Sequence, residues 1–93
     1  MRTIKRANKF KRDYKREKSG RHSKKIDVEL KVILSVLISD TKLPARNVDH
    51  QLYGNWNDHR DCHIFPDLVL IYRKPDDETL ELVRMGSHSE LGI

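Results

Sequence analysis

The stretch Asp49–Tyr72 reads DHQLYGNWNDHRDCHIFPDLVLIY, and its second half decides the fold. Arg60, Cys62 and Ile64 alternate with Asp61, His63 and Phe65, the period-2 pattern of a strand with one buried face. Leu68–Tyr72 is continuously apolar, as expected of a central strand covered on both sides. Pro66-Asp67 between them is a turn. The two runs form a hairpin that holds His63 and Asp67 near one end on a stiff sheet. Imidazoles and carboxylates fixed on rigid elements suit proton transfer. The same stretch contains three of the five histidines, the single Trp, the single Cys and the aspartates Asp49, Asp58, Asp61 and Asp67.

Working outward, Val48–Tyr53 reads as a short strand and Gly54-Asn55 as a turn. Downstream, Pro75-Asp76-Asp77 turns the chain into a further alternating strand, Thr79–Met85. Gly86-Ser87-His88 breaks that pattern and starts a short tail. Upstream, Arg2–Arg6 suits an edge strand. Asn8 is placed to cap a basic helix to about Lys18, with Phe10 and Tyr14 turned to the core. Ser23 is placed to cap a second helix over about Lys24–Ser39. Ile26, Leu30, Ile33, Leu34 and Leu37 make its apolar face. Val28, Val32 and Val36 would also suit a strand, but the length of the run favours a helix. The expected fold is α+β, one domain over residues 1–93, with two N-terminal helices on a mostly antiparallel four- to five-stranded sheet.

The net charge of +5 is unevenly spread. Residues 1–25 carry twelve Lys/Arg against two Asp/Glu, and residues 26–93 carry seven against twelve. Such a basic end suits a phosphate backbone or an acidic protein partner. Lys9, Arg12, Lys15 and Arg16 on the first helix are its candidate phosphate contacts. There is no run of ~18 apolar residues and no apolar leader, which predicts neither a membrane span nor secretion. A lone Cys excludes an internal disulfide and fits a reducing cytoplasm.

Three motifs in order carry a family resemblance. They are Asp49-His50-Gln51-Leu52-Tyr53-Gly54-Asn55-Trp56, then Arg60–Tyr72, then Arg84-Met85-Gly86-Ser87-His88-Ser89-Glu90-Leu91. Together they resemble the YafQ-type branch of the RelE/ParE toxin superfamily, over nearly the whole chain. The resemblance implies a RelE-like domain and the toxin of a type II toxin–antitoxin pair. It implies a ribosome-dependent mRNA endonuclease, with an antitoxin of ribbon-helix-helix type, the 70S ribosome and mRNA as partners. Operator DNA would be met through the antitoxin complex. His50, Asp61, His63, Asp67 and His88 are the implied functional positions. The chain departs from the pattern at Leu68, where a Trp is common, and at Gly92, where many relatives have Phe.

Histidine is apt for such cleavage because its unperturbed pKa is about 6.5. The RNA 2′-hydroxyl is the nucleophile, so one group must take its proton and another must protonate the leaving 5′-oxygen. His88 is the candidate acid and His50 or Asp67 the candidate base, with His63 holding the transition-state phosphate. Asp61 or Asp67 is the candidate to orient an imidazole or to act as base itself, and Arg60 and Arg84 are candidates to hold the phosphate. No cofactor is called for. Zinc is the competing chemistry at His59, Cys62 and His63, but neighbouring strand residues face opposite ways and no CxxC or HExxH spacing exists. Cys62 is expected to be a buried, inert thiol, Trp56 a packing anchor and His22 a solvated residue. The rival function is a non-catalytic docking module of the same fold, as in gyrase-directed ParE-like relatives or a small RNA-binding protein. Those relatives generally lack the histidine set.

Overall fold

The computed structural model describes residues 1–93. Strand β1 (Thr3–Arg6) leads into helix α1 (Asn8–Lys18) and then α2 (Ile26–Ile38). Four strands follow: β2 (His50–Gln51), β3 (Arg60–Phe65), β4 (Leu68–Arg73) and β5 (Thr79–Gly86). A one-turn helix, α3 (His88–Leu91), closes the chain. The strands form one sheet in the order β1-β5-β4-β3-β2. β1 runs parallel to β5, and the other neighbours are antiparallel.

β4 is central, and its run from Leu68 to Tyr72 is buried throughout. Its side chains alternate between two clusters. Leu68, Leu70 and Tyr72 join the helix-side core with Phe10, Ile26, Leu30, Ile33 and Leu37. Val69 and Ile71 join a smaller cluster with Leu52 and Leu91, flanked by Trp56, Val83 and Ile93. Fully burying such a side chain contributes about 1.5–3 kcal/mol. The main core therefore lies under α1 and α2, and the thinner second face is free to carry chemistry.

Several sequence expectations need correction. Asn8 does not cap α1: it is the first helical residue, Ala7 occupies the cap, and no side-chain cap bond forms. Ser23 does not cap α2, which begins at Ile26 after turns through residues 21–25. The strand expected over Val48–Tyr53 is two residues long, because a 3-10 turn at Ala45–Asn47 and a left-handed Val48 precede it. The tail is helical: Ser87 and Glu90 form a capping box, with Ser87 Oγ accepting from the Glu90 N–H and Glu90 Oε1 accepting from the Ser87 N–H. Phe65 does not share a face with Asp61 and His63. The β3–β4 register shifts between His63 and Phe65, and that bulge turns the phenyl ring toward the helix-side core.

At the edge of β5, side chains replace a strand. β1 stops at Arg6, and the Ala7 N–H to Leu82 O bond ends its ladder. Beyond it, the Met85 N–H donates to Asp13 Oδ2 at 3.0 Å, and Arg16 Nη2 donates to Met85 O at 3.1 Å. Two α1 side chains thus satisfy backbone groups that an ended ladder leaves open. Asp13 also accepts from Arg84 Nε at 2.7 Å.

Candidate functional site

The sheet register assembles the site. His50 on β2 stands directly opposite Asp61 on β3, Asp61 opposite Ile71, and Ile71 opposite Arg84. Two residues along β3, His63 pairs with Val69, which pairs with Gly86. His88 follows two residues later and is held at the start of α3 by the capping box. The centroids of the His63 and His88 rings are 5.1 Å apart, edge to face. Residues 25 positions apart in the chain therefore meet over one end of the central strands. Asn47 Nδ2 donates to the His63 carbonyl at 2.8 Å and steadies the strand beside its bulge.

Asp61 lies beneath the histidines and is 1% exposed. Burial pushes its pKa up, while His50, His63 and His88 each pull it back down; the net shift is upward. His50 Nδ1 lies 3.0 Å from Asp61 Oδ1 and also 3.0 Å from Val48 O. The hydrogen-bond geometry favours the carbonyl, and Asp61 Oδ1 is left without a donor. Both neighbours of Nδ1 are oxygens, so that nitrogen carries the hydrogen. The Nε2 lone pair of a neutral His50 then faces outward on a side chain that is 51% exposed.

Asp67 is placed apart from this group. At the β3–β4 turn its Oδ1 meets His22 Nε2 at 2.8 Å, and its Oδ2 accepts from Arg21 Nη1 at 2.9 Å. The Arg21 bond, followed by the His22 bond, holds its carboxyl below the usual range. His22 is not merely solvated: its side chain is 19% exposed and its ring stacks on Phe65, centroids 4.1 Å apart and planes 8° from parallel. Sequence reading missed it because both partners lie more than forty residues away.

The candidate phosphate ligands divide. Arg84 lies in the same row of the sheet as Asp61, but its Nε and Nη2 are held by Asp13. Arg16 is tied to Asp13, Glu17 and Met85 O. Arg60 is on the opposite face of β3, against Tyr72 and Asp49, and does not join the histidines. Lys9, Arg12 and Lys15 are exposed along α1. Leu68 is sealed in the core, and Gly92 caps α3 at φ 70°. Cys62 is fully buried, and burial pushes its thiol pKa far up. No group of three or more His, Cys, Asp or Glu side chains stands where it could hold a metal ion. No helix is long and apolar enough to cross a membrane.

Comparison with known proteins follows the same lines. Residues 2–92 match the family profile described as "Bacterial toxin of type II toxin-antitoxin system, YafQ". The mRNA interferase toxin YafQ of Escherichia coli K12 is 39% identical over 85 residues, covering 81% of this chain and 91% of its own. A copper-bound mutant toxin from Helicobacter pylori superposes with a TM-score of 0.84 at 33% identity, over 98% of this chain and 99% of its own. The toxin in the E. coli DinJ–YafQ complex superposes with a TM-score of 0.77 at 32% identity, over 98% of each chain.

Proposed function

The chain belongs to the YafQ toxin family and is therefore an mRNA interferase, an endoribonuclease of a type II toxin–antitoxin system; we propose that it cuts translated mRNA in the ribosomal A site through His50, His63 and His88. The observation that carries this reading is the convergence of the three imidazoles on the buried carboxylate of Asp61.

The site supports one order of events. His50 Nε2 takes the proton of the 2′-hydroxyl, and the 2′-oxygen attacks the adjacent phosphorus. The bond from phosphorus to the 5′-oxygen breaks, and His88 gives that oxygen its proton. The products are a 2′,3′-cyclic phosphate and a 5′-hydroxyl. Asp61 meets the positive charge that forms on His50, as an orienting carboxylate does for a catalytic histidine. His63, in edge-to-face contact with His88, stabilises the phosphorane-like transition state, and Arg84 is the guanidinium in the same row of the sheet as Asp61. Asp67 is paired with two basic groups and so is a weak base; its part is to accept a hydrogen bond that aligns the substrate. Lys9, Arg12 and Lys15 bind RNA phosphates, and a cognate antitoxin covers the toxin until it is released.

Primer extension on translated mRNA after induction tests this. Wild-type toxin should generate new 5′ ends within codons. His50→Ala, His63→Ala and His88→Ala should each abolish them while remaining folded. Unchanged cleavage in all three variants would overturn the assignment.

A further inference from the structure

The contact between the α1–α2 connection and the β3–β4 turn has no place in the chemistry described above. Its parts are Arg21, His22, Phe65 and Asp67. An exposed ion pair of this kind adds little stability. What it does fix is direction. One carboxylate oxygen is held by His22 and the other by Arg21. The His22 ring is braced flat on Phe65, the last residue of β3 and two residues before Asp67. The Asp67 side chain nevertheless remains 44% exposed. A carboxylate has about four lone-pair sites, so each oxygen can still accept a hydrogen bond from a substrate hydroxyl.

We propose that His22 is a positioning residue of the cleavage site: clamped on Phe65, it holds the Asp67 carboxylate, with Arg21 on the second oxygen, in the one orientation that meets the RNA. This rests on the reading that Asp67 takes part in cleavage. The position of a residue at the hairpin turn is thereby set from a segment 45 residues earlier in the chain. Groups that orient a reacting residue typically alter rate by ~10–100-fold when removed, with substrate affinity little changed.

The test separates the donor from the stack. His22→Phe keeps a ring on Phe65 and removes the N–H. His22→Gln keeps a donor at similar reach and removes the ring. Single-turnover cleavage of ribosome-bound mRNA and affinity for the programmed ribosome are measured for both, together with Asp67→Asn and the His22→Phe/Asp67→Asn double variant. Thermal melting confirms folding. His22→Phe should lose ~10-fold or more in rate with affinity within about twofold, and His22→Gln, which keeps the donor without the clamp, should fall between it and the wild type. The double variant should be no slower than the slower single variant. Three results would overturn the proposal: wild-type cleavage by His22→Phe, loss in both His22 variants alike, or multiplied losses in the double variant. Full activity in Asp67→Asn would sink both the proposal and the reading beneath it. An impaired Asp67→Asn beside an active His22→Phe would sink the proposal alone.

Discussion

His50 and Asp61 face each other across two antiparallel strands, with the imidazole Nδ1 3.0 Å from a carboxylate oxygen that has no hydrogen-bond donor. Because burial raises the Asp61 pKa, its ionised form is costlier in the folded chain than in the unfolded one. That penalty is absent well below the ordinary value of 3.8, grows as pH rises through the folded value, and then stays constant. Asp61→Asn should therefore melt at or above the wild-type temperature at neutral pH, and the difference should close near about pH 3. The same variant should cleave at least ~10-fold more slowly, because the imidazolium of His50 loses its counter-charge. Melting curves against pH and cleavage rates check the two halves separately.

Asp13 gives the opposite pH response. Burial alone would raise its pKa, but hydrogen bonds from Arg84 and the Met85 N–H outweigh it and leave the pKa lowered. Its contribution to stability is present above the unfolded value of 3.8 and is lost as pH falls through the folded value. Asp13→Ala strands Arg84 and opens the Met85 amide, which should cost about 3 kcal/mol at neutral pH. Urea unfolding at neutral and acid pH should show the wild-type advantage shrinking in acid.

The α1 cations should divide between binding and structure. Lys9→Ala, Arg12→Ala and Lys15→Ala should each weaken RNA binding without lowering stability. Each should also reduce the salt-dependence slope by about 0.7, the value for one phosphate on a single strand. Arg16→Ala should instead lower the melting temperature, since Arg16 donates to Met85 O. Binding titrations at several salt concentrations distinguish the two kinds.

Gly92 should resist replacement by Phe, the residue that the family resemblance leads one to expect there. A side chain there meets no atom within 4 Å, so space is no obstacle. The backbone is the obstacle, because φ is 70°. Gly92→Phe should cost about 1 kcal/mol, and Gly92→Asn less, as read from chemical denaturation.

The hairpin, the buried central strand and the two helices were legible because each carries its own period. Leu68–Tyr72 announced two covered faces, and the α2 stripe announced one. The bulge after His63 was not legible, because a register shift leaves no mark on an alternating pattern. The helix starts elude the sequence pattern for a related reason. Asn8 and Ser23 are good cap residues by type, yet the turns through residues 21–25 and the Ala7 cap were set by tertiary packing. The three histidines and Asp61 could be named from motifs. That Asp61 would be buried beneath them follows from the cross-strand register, which sequence does not state. Asp13 was a visible oddity, one of two acids among twelve cations in residues 1–25, and its partners Arg84 and Met85 lie 71 and 72 residues on.

The sealed thiol has a practical corollary. Cys62 is 0% exposed, and burial disfavours its thiolate, so maleimide or spin-label reagents should pass it by in the native protein. A single cysteine introduced on the exposed side of α1 would then be the one labelled position. Fluorescence or electron-resonance distances to a ribosome could be collected on a chain that keeps its own sulfur.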